Sequence, residues 1–394
     1  MKQLIVAVVL LTPLVFWVTG GKNSLFQTAN NVTHEINSKK DTVQVVEATT
    51  TEVTKTTTAA SSTQVTTHIK TPEHVKAVYM SSWVAGTPSV RARLIKLIEE
   101  TELNAVVIDV KDNTGLLSWN GRISDLDKLI EELHEKNIYI IARIASFQDP
   151  LYVKLHPDQA VMNITTGKIW KDRKGVPWVD TGSKDMWEYL AVIGKDAYAR
   201  GFDELNFDYI RFPTDGDLKS MRYPISGERG LTSKRLIVKE FYTFLHTQFS
   251  PLGIPISGDL FGIIATNANE TKTLGQDLGD ALENFDYVAL MVYPSHFYTG
   301  TAGFSNPAAH PGEIITFSTK GAVAIAVATA SSTGVASSTL IAKLRPWYQD
   351  FDMGATYTKE MVRAQITSGE KLGVTSWMLW DPANKYTPSA LYLK

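Results

Sequence analysis

Two pairs of residues in this chain set a carboxylate beside a small polar group on stretches that read as buried strands. They are Asn206 with Asp208, and Ser257 with Asp259. The first pair lies in Phe202–Pro213, where Phe207, Tyr209 and Ile210 have strand-type side chains. Pro213 ends further ladder pairing. At a side-chain period of two, Asn206 and Asp208 share one face, while Leu205, Phe207 and Tyr209 share the other. A core strand carries such polar groups only where they have partners. If both polar faces point inward on adjacent strands, the two carboxylates stand about 4.8 Å apart by strand spacing. A register slip of one residue would undo this inference.

Carboxyl groups separated by roughly 5–5.5 Å are what retaining glycoside hydrolysis uses. One, as the anion, attacks or stabilises an oxocarbenium-like centre, and the other gives a proton to the leaving oxygen. Asp208 is assigned here as nucleophile, with Arg211 or Arg143 as the cation that would favour its charged form. Asp259, between Gly258 and Leu260-Phe261, has less polar company and suits the acid/base role. Asp109 is the reserve candidate. Each residue also has a purely structural reading. Asp208 and Arg211 could be an ion pair closing a rim, Asp109 could cap the turn through Asn113-Thr114-Gly115, and Asp259 could bond backbone amides.

The elements that would position these groups follow one rhythm from Val75 onward: apolar strand, polar turn, amphipathic helix. Strands are expected at Val75–Ser82, Asn104–Val110, Ile138–Ile144, Phe202–Phe212, Ile254–Leu260, Asp286–Tyr293, Arg345–Phe351 and Val374–Trp380. Helices are expected at Pro88–Glu102, Ser124–Lys136, Ser183–Arg200, Thr232–Phe249, Leu274–Glu283, Ser337–Lys343 and Lys359–Lys371, whereas Ala322–Ala328 reads as a strand extension. A long insertion, Ala145–Gly182, holds a hairpin expected at Asn163–Trp170. Near-continuous apolar strands alternating with helices predict an α/β fold with a parallel sheet covered on both faces. Closure at eight gives a (β/α)8 TIM barrel. An open doubly wound sheet is the alternative, against which no Gly-x-Gly-x-x-Gly turn follows any strand.

In such a barrel the strand C-termini carry the chemistry. Here they end in Trp83, in Asp109 and Asp112, in Arg143, in Asp208 and Arg211, in Asp259, in Tyr293, near Gln349 and Asp350, and in Trp380-Asp381. Trp83, Trp119, Trp170, Trp178 and Trp380 fall at strand ends or in the loops above, where aromatic faces can stack on sugar rings or simply pack. The substrate-binding set expected is therefore Trp83, Asp109, Asp112, Arg143, Trp178, Arg211, Tyr293, Trp380 and Asp381.

Composition narrows the classes. The chain has 394 residues, 44% hydrophobic and 20% charged, with a net charge of -2 that gives no electrostatic footprint for nucleic acid. Cysteine is absent, which removes disulfides and thiolate chemistry. No metal site is expected: His296 and His310 share a loop and other histidines are scattered, without helical metal spacing beside a carboxylate. No cofactor is expected either, since neither a Gly-x-Ser-x-Gly nor a phosphate-binding loop occurs. Lys2 followed by an apolar run, Leu4–Val18, predicts a signal peptide or membrane anchor over residues 1–20. Residues 21–72, rich in Thr and Ser, read as a disordered linker, leaving 73–394 for the barrel. The expected location is exported, either secreted or membrane-anchored, with the membrane touched only through the N-terminal segment.

Several segments in order resemble one family. They are Ala77-Val78-Tyr79-Met80-Ser81, Asn104 to Asp112, Phe207-Asp208-Tyr209-Ile210-Arg211-Phe212-Pro213, Ser257-Gly258-Asp259-Leu260-Phe261-Gly262, Met291 to His296 and Trp377-Met378-Leu379-Trp380-Asp381. Trp178-Val179-Asp180 is similar to a segment of neighbouring glycosidase-like families. Together they resemble a bacterial glycosyl hydrolase domain family placed near the α-amylase-like barrels. The resemblance covers Val75 to about Leu391 and implies a (β/α)8 barrel acting on carbohydrate. It also implies a strand-four Asp nucleophile, which matches Asp208, and a strand-five acid that is commonly Glu, where this chain has Asp259. The expectation is a glycoside hydrolase cleaving a poly- or oligosaccharide. The rivals are a glycan- or cell-wall-binding barrel without catalysis, and a transglycosylase using the same two carboxylates.

Overall fold

The computed structural model describes residues 67–227 and 234–394. The segment expected at 1–20 and residues 21–66 of the linker expected at 21–72 lie outside the described residues. Eight parallel strands close into a barrel: β1 (Lys76–Met80), β2 (Ala105–Lys111), β3 (Tyr139–Ala145), β4 (Glu204–Asp208), β5 (Ile256–Phe261), β6 (Tyr287–Met291), β7 (Trp347–Gln349) and β8 (Trp377–Trp380). Neighbours follow chain order, and β8 pairs with β1 to complete the ring. Each strand alternates between two cores. Ala77, Tyr79, Ala105, Val107, Tyr139, Ile141, Ala289, Trp347 and Met378 pack together inside the barrel. Val78, Val106, Ile108, Ile140, Leu205, Phe207, Leu260 and Leu379 pack outward against the helices. That division explains why the strands read as unbroken apolar runs.

Helices at Pro88–Glu100, Leu126–Glu135, Lys184–Ala199, Lys234–Phe249, Pro311–Thr333 and Lys359–Glu370 form the outer layer. Ser183 caps the third of these by accepting from the Met186 amide at 3.1 Å. Two expectations change. The helix expected over Leu274–Glu283 is two short ones, Ala268–Leu274 and Leu278–Asn284, broken where Gly275 takes φ +78°. The stretch Ala322–Ala328, expected as strand, lies inside the helix Pro311–Thr333. It is apolar nearly all round, so strand and helix periods could not be told apart. Its buried residues Ser318, Ala322, Ala326 and Ala330 recur at four-residue intervals. A β-carbon at Gly321 would meet the Ala265 carbonyl oxygen at 2.2 Å, so the helix approaches its neighbour closely there.

The expected hairpin is partly present. Met162 bridges Ile169, and Met162–Asn163 also pairs antiparallel with Met221–Arg222. The loops after β3 and β4 are thereby joined. Asp180 reinforces the junction by accepting from the amides of Ile225 and Ser226 at 2.8 and 3.0 Å.

The base of the barrel is closed by charge and by the entering chain. Arg345 donates to both oxygens of Glu204 at 2.8 and 2.9 Å, with neither side chain exposed. Ser257 and Tyr139 add hydroxyl bonds to Glu204 at 2.7 and 3.1 Å, and the Tyr287 ring lies 3.8 Å from the guanidinium. Outside this pair the Ile69 amide donates to Asp203 at 2.7 Å and Thr71 meets the Tyr139 hydroxyl at 2.9 Å. Thr67–Thr71, expected in the linker, therefore belongs to the barrel floor. Arg345→Met is predicted to cost about 3–5 kcal/mol, since it strands a buried carboxylate, and adding Glu204→Gln should recover most of it. Urea unfolding of both variants checks this. A double variant no more stable than the single one would contradict the pairing.

Candidate active site

Inward-facing residues at the strand C-termini converge around one guanidinium. Register places Asp109 beside Arg143, Arg143 beside Asn206, and Asn206 beside Ser257. Each therefore points into the barrel, one step below Asp208 and Asp259. Arg143 Nη1 donates to Asp109 at 2.6 Å, and Nη2 donates to Asp208. Nε lies 3.6 Å from Asp259 Oδ2, an ion-pair distance rather than a hydrogen bond. Two carboxylates thus accept from one guanidinium and a third lies within ion-pair distance of it, a geometry for which arginine is suited.

Each carboxylate has a distinct second environment. Asp109 accepts from the Tyr79 hydroxyl at 2.5 Å. Asp208 accepts from the Tyr209 amide at 2.5 Å. The Oδ1 atom of Asp259 accepts from Asn206 Nδ2 at 3.0 Å and Trp347 Nε1 at 2.8 Å. Burial and the Asp208 charge push the Asp259 carboxyl up to about 7, against the pull of Arg143 and these two donors. Burial also raises Asp109, although Arg143 and Tyr79 oppose it. Tyr293, just past β6, is buried, and its phenol is pushed well above its ordinary value by burial and then by Asp259 and Asp208. Trp380 stacks on Tyr79 with ring centres 4.0 Å apart and lies 4.9 Å from the Arg143 guanidinium. All eight strands or their ends thus supply the floor: Tyr79, Asp109, Arg143, Asp208, Asp259, Tyr293, Trp347 and Trp380.

The structure brings together Asp208, Asp259, Asp109, Arg143, Tyr293 and Trp380 of the expected set. Others lie apart from this group. Arg211, one of the two cations expected beside Asp208, bonds instead to the Phe212 carbonyl at 3.1 Å and the Thr214 hydroxyl at 3.3 Å, between the rings of Trp178 and Phe261. Period two itself sets Arg211 on the face of Leu205, Phe207 and Tyr209, opposite Asp208, and the strand ends at Asp208, with Tyr209 at φ +54°. Asp112 caps its own turn, accepting from the Thr114 amide at 2.9 Å, and faces Arg122 at 3.5 Å. The turn-capping role weighed for Asp109 thus falls to Asp112. Asp381 similarly accepts from the Ala383 amide at 2.5 Å.

The tryptophans divide by burial. Trp178 is 1% exposed and donates to Asp172 at 3.1 Å, so it supports a loop and offers no open face for a sugar. Trp170 is buried and bonds the Asp217 carbonyl, and Trp119 lies against Arg200. Trp83 is 61% exposed, on a short helix after β1. Sequence reasoning missed Tyr79 and Trp347. Tyr79 continues the inward series Val75, Ala77, so period two would have found it. Trp347 gives no such signal, because its indole nitrogen matters only through the neighbour it meets. Among the described residues, no group of His, Asp and Glu is arranged to hold a metal ion.

Comparison with known proteins agrees with this architecture. A family model described as "Putative glycosyl hydrolase domain" matches residues 77–386. A hypothetical protein from Ruminiclostridium thermocellum is 34% identical over 48% of this chain and 99% of its own, with a TM-score of 0.41. The PgaB (BpsB) glycoside hydrolase domain from Bordetella bronchiseptica superposes with a TM-score of 0.55 at 14% identity, covering 82% of this chain and 99% of that one. The catalytic domain of β-amylase from Paenibacillus polymyxa gives 0.50 at 10% identity, covering 81% and 95%. At these identities the last two show a shared fold. No curated protein matches the chain.

Proposed function

The chain belongs to the family described as "Putative glycosyl hydrolase domain", and on that premise we propose that it hydrolyses a poly- or oligosaccharide outside the cytoplasm by a retaining mechanism. The observation that carries the reading is the unequal setting of two inward carboxylates on adjacent strands. Asp208 is held by the Arg143 fork and the Tyr209 amide. Asp259 has one oxygen occupied by Asn206 and Trp347, while Oδ2 has Arg143 beyond hydrogen-bond reach. In the proposed reaction Asp208 attacks the anomeric carbon as Asp259 Oδ2 gives its proton to the departing glycosidic oxygen. Asp259, now ionised, then takes a proton from the water that cleaves the Asp208–sugar ester, restoring both groups. Trp380 and Tyr79 would supply an apolar wall for the sugar ring. Export rests on the apolar run Leu4–Val18, the Thr-rich stretch after it and the lack of cysteine.

The test is hydrolysis of a polysaccharide panel by the full chain, followed by a pH profile on any substrate found. If Asp259 is the acid, kcat/KM should fall with rising pH through a pKa near the value of about 7 to which burial and Asp208 push it. Asp259→Asn should remove that alkaline limb. Glycan binding with no product from any member of the panel would instead support the non-catalytic rival, and a profile flat from pH 5 to 9 would contradict the acid assignment.

A further inference from the structure

Asp259 is tied to the charged pair at the barrel floor through inward side chains of β4 and β5. Glu204 accepts from Arg345 at 2.8 and 2.9 Å, and in that pair it is an acceptor only. Ser257 therefore gives its single hydroxyl proton to Glu204, at 2.7 Å. Its oxygen is left with acceptor capacity, and Asn206 Nδ2 donates to it at 3.1 Å. That contact decides which end of the Asn206 amide faces β5. The same Nδ2 donates its second proton to Asp259 Oδ1 at 3.0 Å. The amide oxygen, Asn206 Oδ1, is buried and has no hydrogen-bond partner among the described residues. An unpaired buried acceptor is unfavourable, and here it accompanies the commitment of both amide protons.

Trp347 reaches the same oxygen from β7. Its indole nitrogen can only donate, and it bonds Asp259 Oδ1 at 2.8 Å. On β6, between the two strands, register sets Ala289 beside Asp259, and a methyl group there leaves the indole room to cross. The ring is fully buried and meets Trp380 edge-on, with centres 5.5 Å apart. Oδ1 thus faces two donors, and a proton on that oxygen would oppose both. The charged and titratable groups that face this carboxyl are Arg143 from β3, Asp208 from β4 and Tyr293 past β6. Arg143 Nε stands 3.6 Å from Oδ2, beyond a hydrogen bond, so Oδ2 is free to hold the proton.

We infer that Asn206 and Trp347 are positioning residues for Asp259: together they commit Oδ1 to accepting and leave Oδ2 as the oxygen that carries the transferable proton, with Ser257 setting the orientation of Asn206. That this proton reaches a glycosidic oxygen rests on the glycosidase reading of the site, whereas its place on Oδ2 rests on the donors alone. Both donors also favour the ionised carboxylate, so losing either one should make Asp259 harder to ionise.

Two variants of the full chain test this. Trp347→Phe keeps an aromatic ring and removes the N–H donor. Ser257→Ala removes the group that orients Asn206 and lets the amide turn its oxygen toward Asp259. The first readout is the titration of the Asp259 carboxyl, followed by carbon-13 NMR of Asp-labelled protein without substrate and identified by its loss in Asp259→Asn. The second is the pH profile of kcat/KM. In both variants the titration and the alkaline limb should move up by about one pH unit, a tenfold weaker acid. Turnover of an unactivated glycoside should fall about tenfold, while an aryl glycoside with an acidic phenol is nearly spared. An unchanged or lowered titration point in either folded variant would overturn the inference, even if Tm falls, since lost packing moves Tm alone. If Trp347→Phe does not fold, Ser257→Ala decides. A wild type that cleaves no glycan, while the titration still moves up in the variants, would defeat the glycosidase reading and leave the placement of the proton standing.

Discussion

Replacing Asp208 with Asn is expected to lower turnover by at least about a thousandfold on every glycoside, however good its leaving group. Asn is nearly the same size, and its single carbonyl oxygen can keep one of the two bonds that Asp208 accepts on separate oxygens from Arg143 and the Tyr209 amide, so the fold should persist at some cost in stability. What disappears is the proposed nucleophile. Asp259→Asn should behave differently. Without the acid, natural sugars leave slowly, but an aryl glycoside with an acidic phenol leaves unaided, so its first step should be nearly spared. Rates of both variants on a matched pair of substrates check the assignment. If Asp208→Asn spares the activated substrate and Asp259→Asn does not, the two roles are reversed. If both keep wild-type turnover on both substrates, neither carboxylate does the chemistry.

The second large effect is expected at Arg143. Its guanidinium is the shared partner of Asp109, Asp208 and Asp259, all buried. Arg143→Met should cost about 3–5 kcal/mol at neutral pH, the penalty for leaving buried charge uncompensated. The pH dependence follows from the carboxyl groups. Asp259 and Asp109 are already raised, and without the cation both should rise further. A carboxyl whose folded pKa lies above its unfolded one binds more protons in the folded state. Stability is then highest below the unfolded value of about 4 and falls as pH climbs through the folded one. The variant should therefore be most destabilised above pH 7 and recover toward pH 5. Urea unfolding across that range measures it, and a deficit that grows on acidification would contradict the account.

Much of this site was legible because a strand has a strict period. The polar pairs Asn206/Asp208 and Ser257/Asp259 could be set on one face each, and their strands could be ordered by counting. The structure pairs Asn206 with Ser257, so the two carboxylates rise from neighbouring strands in the same step. Arg211 was a candidate through its charge and its nearness in sequence, yet the same period puts it opposite Asp208, with Leu205, Phe207 and Tyr209, and the structure keeps it apart from the carboxylates. Arg143 was visible only as one of two cations, because which guanidinium reaches a carboxylate depends on backbone angles that composition does not encode. Burial was hidden for a related reason. Trp178 and Trp83 look alike in sequence, yet one supports a loop and the other faces solvent. The Glu204–Arg345 pair joins residues far apart in the chain, so no local pattern announced it.

In the proposed reaction Asp208 becomes covalently bound to the sugar while Asp259 exchanges the proton. The most direct measurement is the anomeric configuration of the first product, followed by proton NMR before mutarotation, on a substrate found in the polysaccharide panel. The expected first product has the configuration of the cleaved bond, since two displacements at one carbon restore it. A first product of opposite configuration would mean that water attacks directly, and Asp208 would then be a base rather than a nucleophile.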